Sequence, residues 1–100
     1  MAYTGLYDEG IRWAYISADG TYIQRASPVK LIRVVLNGDS AANGIITIYN
    51  NSAASGEVVS ILYPDALNFT CYEFGVSLST GLTVVAASLA GDANCTVVYQ

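Results

Sequence analysis

Tyr72-Glu73-Phe74-Gly75-Val76-Ser77-Leu78 places a large apolar side chain at every second position. Successive side chains of an extended backbone point to opposite sides. Tyr72, Phe74, Val76 and Leu78 therefore share one face, and Glu73, Gly75 and Ser77 share the other. The stretch reads as a half-buried strand with one wet face. The same period of two recurs outward in both directions, over residues 11–18, 21–25, 29–37, 44–50, 57–63, 82–88 and 94–99, all rich in Val, Ile, Thr and Tyr. No window of eleven residues carries helical periodicity.

Turn formers punctuate these stretches: Asp19-Gly20, Asn37-Gly38-Asp39, Asn43-Gly44, the polar run from Asn50 to Gly56, Ser79 to Gly81, and Gly91-Asp92. Short strands separated by such turns predict an all-β fold, an antiparallel β-sandwich or jelly-roll-like barrel of about eight short strands. Residues 11–100 form its single domain. Residues 1–10 carry Tyr3, Leu6 and Tyr7 without a regular pattern and read either as an N-terminal arm that orders on a partner or as a frayed terminus.

Three strands look apolar on both faces. In 29–37 the alternating sets are Lys30, Ile32, Val34, Leu36 and Leu31, Arg33, Val35, Asn37; in 44–50, Ile46 and Ile48 oppose Ile45, Thr47 and Tyr49; and Val84 and Ala86 oppose Val85 and Ala87. A strand with no wet face needs a second cover. In a chain with no helix to spare, that cover is expected to be another subunit, the alternative being loop residues of the chain itself. Composition points the same way, with 53% hydrophobic residues and only 12% charged among 100 residues, against roughly 25% charged in typical soluble domains. The interface candidates are Tyr3, Leu6, Tyr7, Trp13, Leu31, Arg33 and Val35.

The net charge of −4, with Arg12, Arg25, Lys30 and Arg33 as the cations, supplies no electrostatic footprint for nucleic acid or an anionic membrane. The most apolar run, 82–90, is interrupted by Thr83 and Ser88 and is too short to span a bilayer. The N-terminus lacks the basic start and apolar segment of a secretion signal, so a protein made in a cytoplasm is expected. The triplets at Asn50, Asn68 and Asn94 then read as chance matches to a glycosylation motif. Alternation sets Cys71 and Cys95 on different sides, which disfavours a disulfide between them.

The sequence holds no histidine, removing the commonest general base and the commonest zinc ligand. Its eight acidic residues have no metal-ligand spacing, and most fall in turns. No glycine-rich loop opens a helix to cradle phosphate. No catalytic residue, metal or cofactor is expected. Trp13, Tyr15 and Tyr22 cluster near the first hairpin and offer an aromatic platform on which a sugar could stack.

The runs Gly44-Ile-Ile-Thr-Ile-Tyr-Asn-Asn-Ser-Ala-Ala-Ser-Gly56, Phe74-Gly-Val-Ser-Leu-Ser-Thr-Gly-Leu82 and Cys95-Thr-Val-Val-Tyr99 resemble a recurring module of tailed-bacteriophage structural proteins. That module is found in small virion, decoration and fibre proteins. Where it often carries Asp after the strand tyrosine, this chain has Asn50, which weakens any metal site there. The resemblance implies a virion protein without enzymatic activity: a capsid decoration or cement subunit on the head surface, homo-oligomeric and commonly trimeric. Its partners would be copies of itself and the major capsid protein, with no nucleic acid and no membrane. A head-fibre, tail or baseplate component and a glycan-binding module are the alternatives.

Overall fold

The computed structural model describes residues 2–6, 10–38, 44–64 and 69–100. The readings placed on Tyr7, Asp8, Glu9, Asp39, Asn43, Asp65 and Asn68 lie outside them. Nine strands are present among the described residues: β1 (Ala2–Leu6), β2 (Arg12–Ile16), β3 (Gly20–Ala26), β4 (Val29–Asn37), β5 (Ile45–Asn50), β6 (Glu57–Leu62), β7 (Phe69–Leu78), β8 (Gly81–Ala87) and β9 (Asn94–Tyr99). They form a five-stranded sheet in the order β1-β2-β9-β4-β7 and a four-stranded sheet in the order β3-β8-β5-β6, with every pairing antiparallel.

Setting β1 aside, β2 pairs with β9, β3 with β8, β4 with β7, and β5 with β6. The chain is thus one long hairpin of paired strands rolled over so that alternate pairs fall in opposite sheets. That is the jelly-roll form of the sandwich. The ninth strand is β1, which adds to the outer edge of β2 from Ala2 opposite Ile16 to Leu6 opposite Arg12. Over Ala2–Leu6 the N-terminal segment is thus an edge strand of the five-stranded sheet. Pairing gives its backbone amides and carbonyls the partners they need.

The core lies between the sheets. Ile16, Leu31, Val34, Leu36, Cys95 and Val97 from one sheet meet Ile46, Ile48, Leu62, Leu82, Val84 and Ala86 from the other, all buried. The alternation that suggested a strand at Tyr72–Leu78 holds. Tyr72, Val76 and Leu78 pair with the inward residues Val34, Leu31 and Val29, and Phe74 packs against the core.

In β4 the alternation breaks. Ile32 is an extra residue against β9, where Leu31 pairs with Tyr99 and Arg33 with the adjacent Val98. This bulge reverses the facing of the strand. Val29 and Leu31 point inward before it, Val34 and Leu36 after it, and Lys30, Arg33, Val35 and Asn37 fall outside that set. Hence β4 has one apolar face and one largely polar face, and the reading of two apolar faces is corrected here. Leu31, an interface candidate, is fully buried in the core.

Candidate interaction surfaces

The outer face of the five-stranded sheet gathers three of the interface candidates, Trp13, Arg33 and Val35. One cross-strand row runs Gly5, Trp13, Val98, Arg33, Glu73; the next runs Tyr3, Tyr15, Thr96, Val35, Cys71. Trp13, Arg33 and Val35 therefore share a face, whereas Leu31 lies on the opposite side of the same sheet. Tyr3 and Leu6 are placed by register alone, opposite Tyr15 and Arg12. A side chain at Gly5 would overlap the Trp13 indole, so the ring lies over the β1 backbone where only glycine leaves room. Arg33 Nε lies 3.2 Å from Glu73 Oε1, with both side chains about half exposed. A pair so exposed contributes little to stability.

The four-stranded sheet presents a different outer face. Its rows are Thr21, Val85, Thr47, Ile61, then Thr83, Tyr49, Val58, then Ala87 and Ile45. None of these side chains carries a charge. β5 and β8 are apolar or threonine-bearing on both faces, but the outer one is partly covered by the chain's own loop: Thr83 is fully buried and its hydroxyl donates to the Asn51 carbonyl at 2.9 Å, Val85, Thr47 and Tyr49 are half-buried, and Ile45, Val58 and Ile61 are exposed.

Among the described residues, exposed large apolar side chains are confined to one side of the molecule. They are Ile45 on β5, Val58 and Ile61 on β6, Tyr63 just after it, and Phe69, Tyr72 and Val76 on β7. Phe69 is 70% exposed and Tyr63 57%, values at which a large ring adds nothing to its own core. Strands β6 and β7 are the terminal strands of their sheets on this side. Between them runs an open groove of about 560 Å³ lined by Ser60, Ile61, Leu62 and Tyr63 from one and Cys71, Tyr72, Glu73 and Phe74 from the other. None of these residues was singled out from sequence as an interface residue, although Tyr72 and Phe74 sit in the stretch that decided the fold. What marks them is that their strands are terminal, and strand order is not written in local periodicity.

Polar residues at the loop ends serve the fold. Asp19 accepts the Ser88 amide at 3.1 Å and the Leu89 amide at 2.8 Å, tying the β2–β3 turn to the end of β8. Asn50 joins the β5–β6 turn to the β7–β8 turn. Its Oδ1 accepts the amides of Thr80 (2.9 Å) and Gly81 (3.3 Å), and its Nδ2 donates to Glu57 Oε1 (2.9 Å) and Ser79 Oγ (3.1 Å). Thus the position where the resembling module often carries Asp is used here as a clamp between turns.

Cys71 and Cys95 are both free thiols, Cys71 exposed and Cys95 buried. Burial pushes the Cys95 thiol up to about 12, because the thiolate would lose its hydration. Burial also raises the Tyr22 phenol, with the negative charge of Asp19 adding to the effect. Among the described residues no three His, Cys, Asp or Glu side chains come together as a metal site.

No family model matches this chain, and none of the curated proteins matches it significantly.

Proposed function

We propose that this protein is a structural subunit of a bacteriophage virion, a homo-oligomeric decoration or cement protein that binds the head shell through its sheet surfaces. The observation that carries the reading is the jelly-roll strand order, an architecture of viral capsid and lectin domains. A fold hosts many functions, so the surfaces have to agree with it. They do: one sheet has an outer face without charge, and the exposed large apolar residues are grouped on one side instead of scattered. The sequence resemblance to small phage virion proteins points to the same partner, the major capsid protein.

The experiment is reconstitution on expanded heads that lack small decoration proteins. Purified protein is expected to co-sediment with them at a saturating copy number set by the shell lattice and to raise their resistance to heat. Absence of saturable binding would sink the reading. Gold-labelled intact virions separate a head-shell location from a fibre, tail or baseplate one.

A second reading rests on Trp13 and Tyr15, which stand side by side on the outer face of β2. A partly exposed indole next to a phenol is a stacking platform for a sugar ring. A glycan array comparing the protein with Trp13→Ala tests it, and equal signals from both would remove the site.

A further inference from the structure

We infer that the outer face of the five-stranded sheet binds a neutral oligosaccharide laid across β2, β9, β4 and β7, with one sugar ring on the Trp13 indole and the hydroxyls of a following ring on the Arg33–Glu73 pair. This rests on the glycan reading of Trp13 above, and it names the ligand class and the residues that complete the site. The residues form the cross-strand row Trp13, Val98, Arg33, Glu73, which runs over adjacent strands of the sheet. Trp13 and Val98 are half-buried and Arg33 and Glu73 exposed, while their neighbours Ala14, Val97 and Val34 are buried, so the row faces away from the core.

The two ends of the row lean apart. The indole crosses toward β1, where a Cβ on Gly5 would overlap it, and Arg33 reaches the other way, to Glu73 on β7. Between them stands Val98 on β9, a short side chain. The row is therefore a low apolar floor between an aromatic ring and an ion pair. Trp13 and Arg33 are two inter-strand spacings apart at the backbone, about 10 Å, and Glu73 is one spacing further. A single pyranose is too short to touch both ends, so the ligand is a chain of rings lying across the strands.

The chemistry at each end selects a sugar. The C–H face of a pyranose is apolar with slightly positive hydrogens, which suits the negative face of an indole. Each sugar hydroxyl both donates and accepts, and the ion pair offers both functions: a guanidinium and a carboxylate have more donors and acceptors than one mutual contact uses. Glu73 is held at two points, by Arg33 Nε at 3.2 Å and by the Cys71 thiol, which donates to its Oε1 at 3.6 Å. A polar group already in place loses less freedom when a ligand arrives. Because the guanidinium is matched by a carboxylate, an acidic sugar finds no spare positive charge here, and the chain's net charge of −4 opposes its approach. Single-stranded nucleic acid, whose bases also stack on aromatic rings, is disfavoured by the same charge.

The test is an array of neutral and acidic glycans, followed by titration of the protein with the strongest binder and with that glycan's terminal monosaccharide. Trp13 is the only tryptophan, so its emission in the unaltered protein reports a ring settling on it. A neutral oligosaccharide is expected to bind, to shift that emission, and to bind about tenfold more tightly than the monosaccharide. Arg33→Ala and Glu73→Ala should each weaken the oligosaccharide about tenfold, the worth of a hydrogen bond to a charged group, and leave the monosaccharide unchanged. Trp13→Ala should abolish both, and Thr21→Lys on the other sheet should alter neither. Preference for acidic glycans, equal affinity for the two lengths, or an oligosaccharide indifferent to Arg33 and Glu73 overturns this inference, while Trp13-dependent binding in the same data spares the glycan reading. An array without any Trp13-dependent signal removes both. If the variants fail to fold, the emission titration of the unaltered protein decides: equal affinities for the two lengths, or no shift, overturn the site.

Discussion

Replacing Asn50 with alanine removes four hydrogen bonds that join two turns at one end of the sandwich. Each intramolecular hydrogen bond contributes a net ~0.5–1.5 kcal/mol, with solvent-exposed ones at the low end. All of these are exposed except the one from the half-buried Gly81 amide. A loss of about 2 kcal/mol follows, since water replaces most of the partners but reaches the Gly81 amide poorly. For a domain of this size that lowers Tm by roughly 8–16 °C. Thermal unfolding by circular dichroism reads it directly, and a shift under about 2 °C would refute the clamp, because that corresponds to less than one hydrogen bond.

Asn50→Asp sharpens the same reasoning. The acceptor oxygen for Thr80 and Gly81 is kept, but a carboxylate replaces the amide nitrogen that sits 2.9 Å from Glu57 Oε1. Two like charges at about 4 Å repel by ~1 kcal/mol in water and several-fold more at lower effective dielectric. Repulsion raises the carboxyl pKa in the folded state above its unfolded value, so the folded form binds protons more tightly. The penalty is therefore absent at about pH 3 and fully present at about pH 7, relative to wild type at each pH. Glu57→Gln in the same chain should restore neutral-pH stability. An Asn50→Asp variant matching wild type across that range, or one that Glu57→Gln does not rescue, would contradict the geometry.

The two thiols should separate cleanly: a maleimide is expected to label Cys71 in the native protein and Cys95 only in denaturant, and mass spectrometry of native labelling counts the adducts. Because the Cys95 thiol is raised from 9.0 to about 12 by burial, its contribution to stability is intact below about pH 9 and lost as pH rises toward 12. Denaturant melts should show that alkaline decline, on the order of a few kcal/mol at most, and Cys95→Ala should flatten it. Arg33→Ala is expected to cost under about 1 kcal/mol, because its partner Glu73 is exposed too; chemical denaturation measures it, and a larger loss would mean that the outer face of the five-stranded sheet is covered in solution.

The fold was legible wherever side-chain alternation runs unbroken. Strand β7 declares itself because its outward positions are Cys71, Glu73 and Ser77 and its inward ones are large. The failure at β4 has a definite cause: counting by twos cannot register the one extra residue at Ile32, and the shift turned a strand with one polar face into an apparent two-faced one. Leu31 was chosen as an interface residue on that shifted count. The bulge in β3 is equally silent, since Ile23 and Gln24 are not residue types that announce positive φ. Over Ala2–Leu6 the pattern is too short to read, and only the opposing register of β2 makes it a strand. For β5 and β8 no bulge separates the rows Thr47–Val85 and Ile45–Ala87, so the reading of two apolar faces holds there.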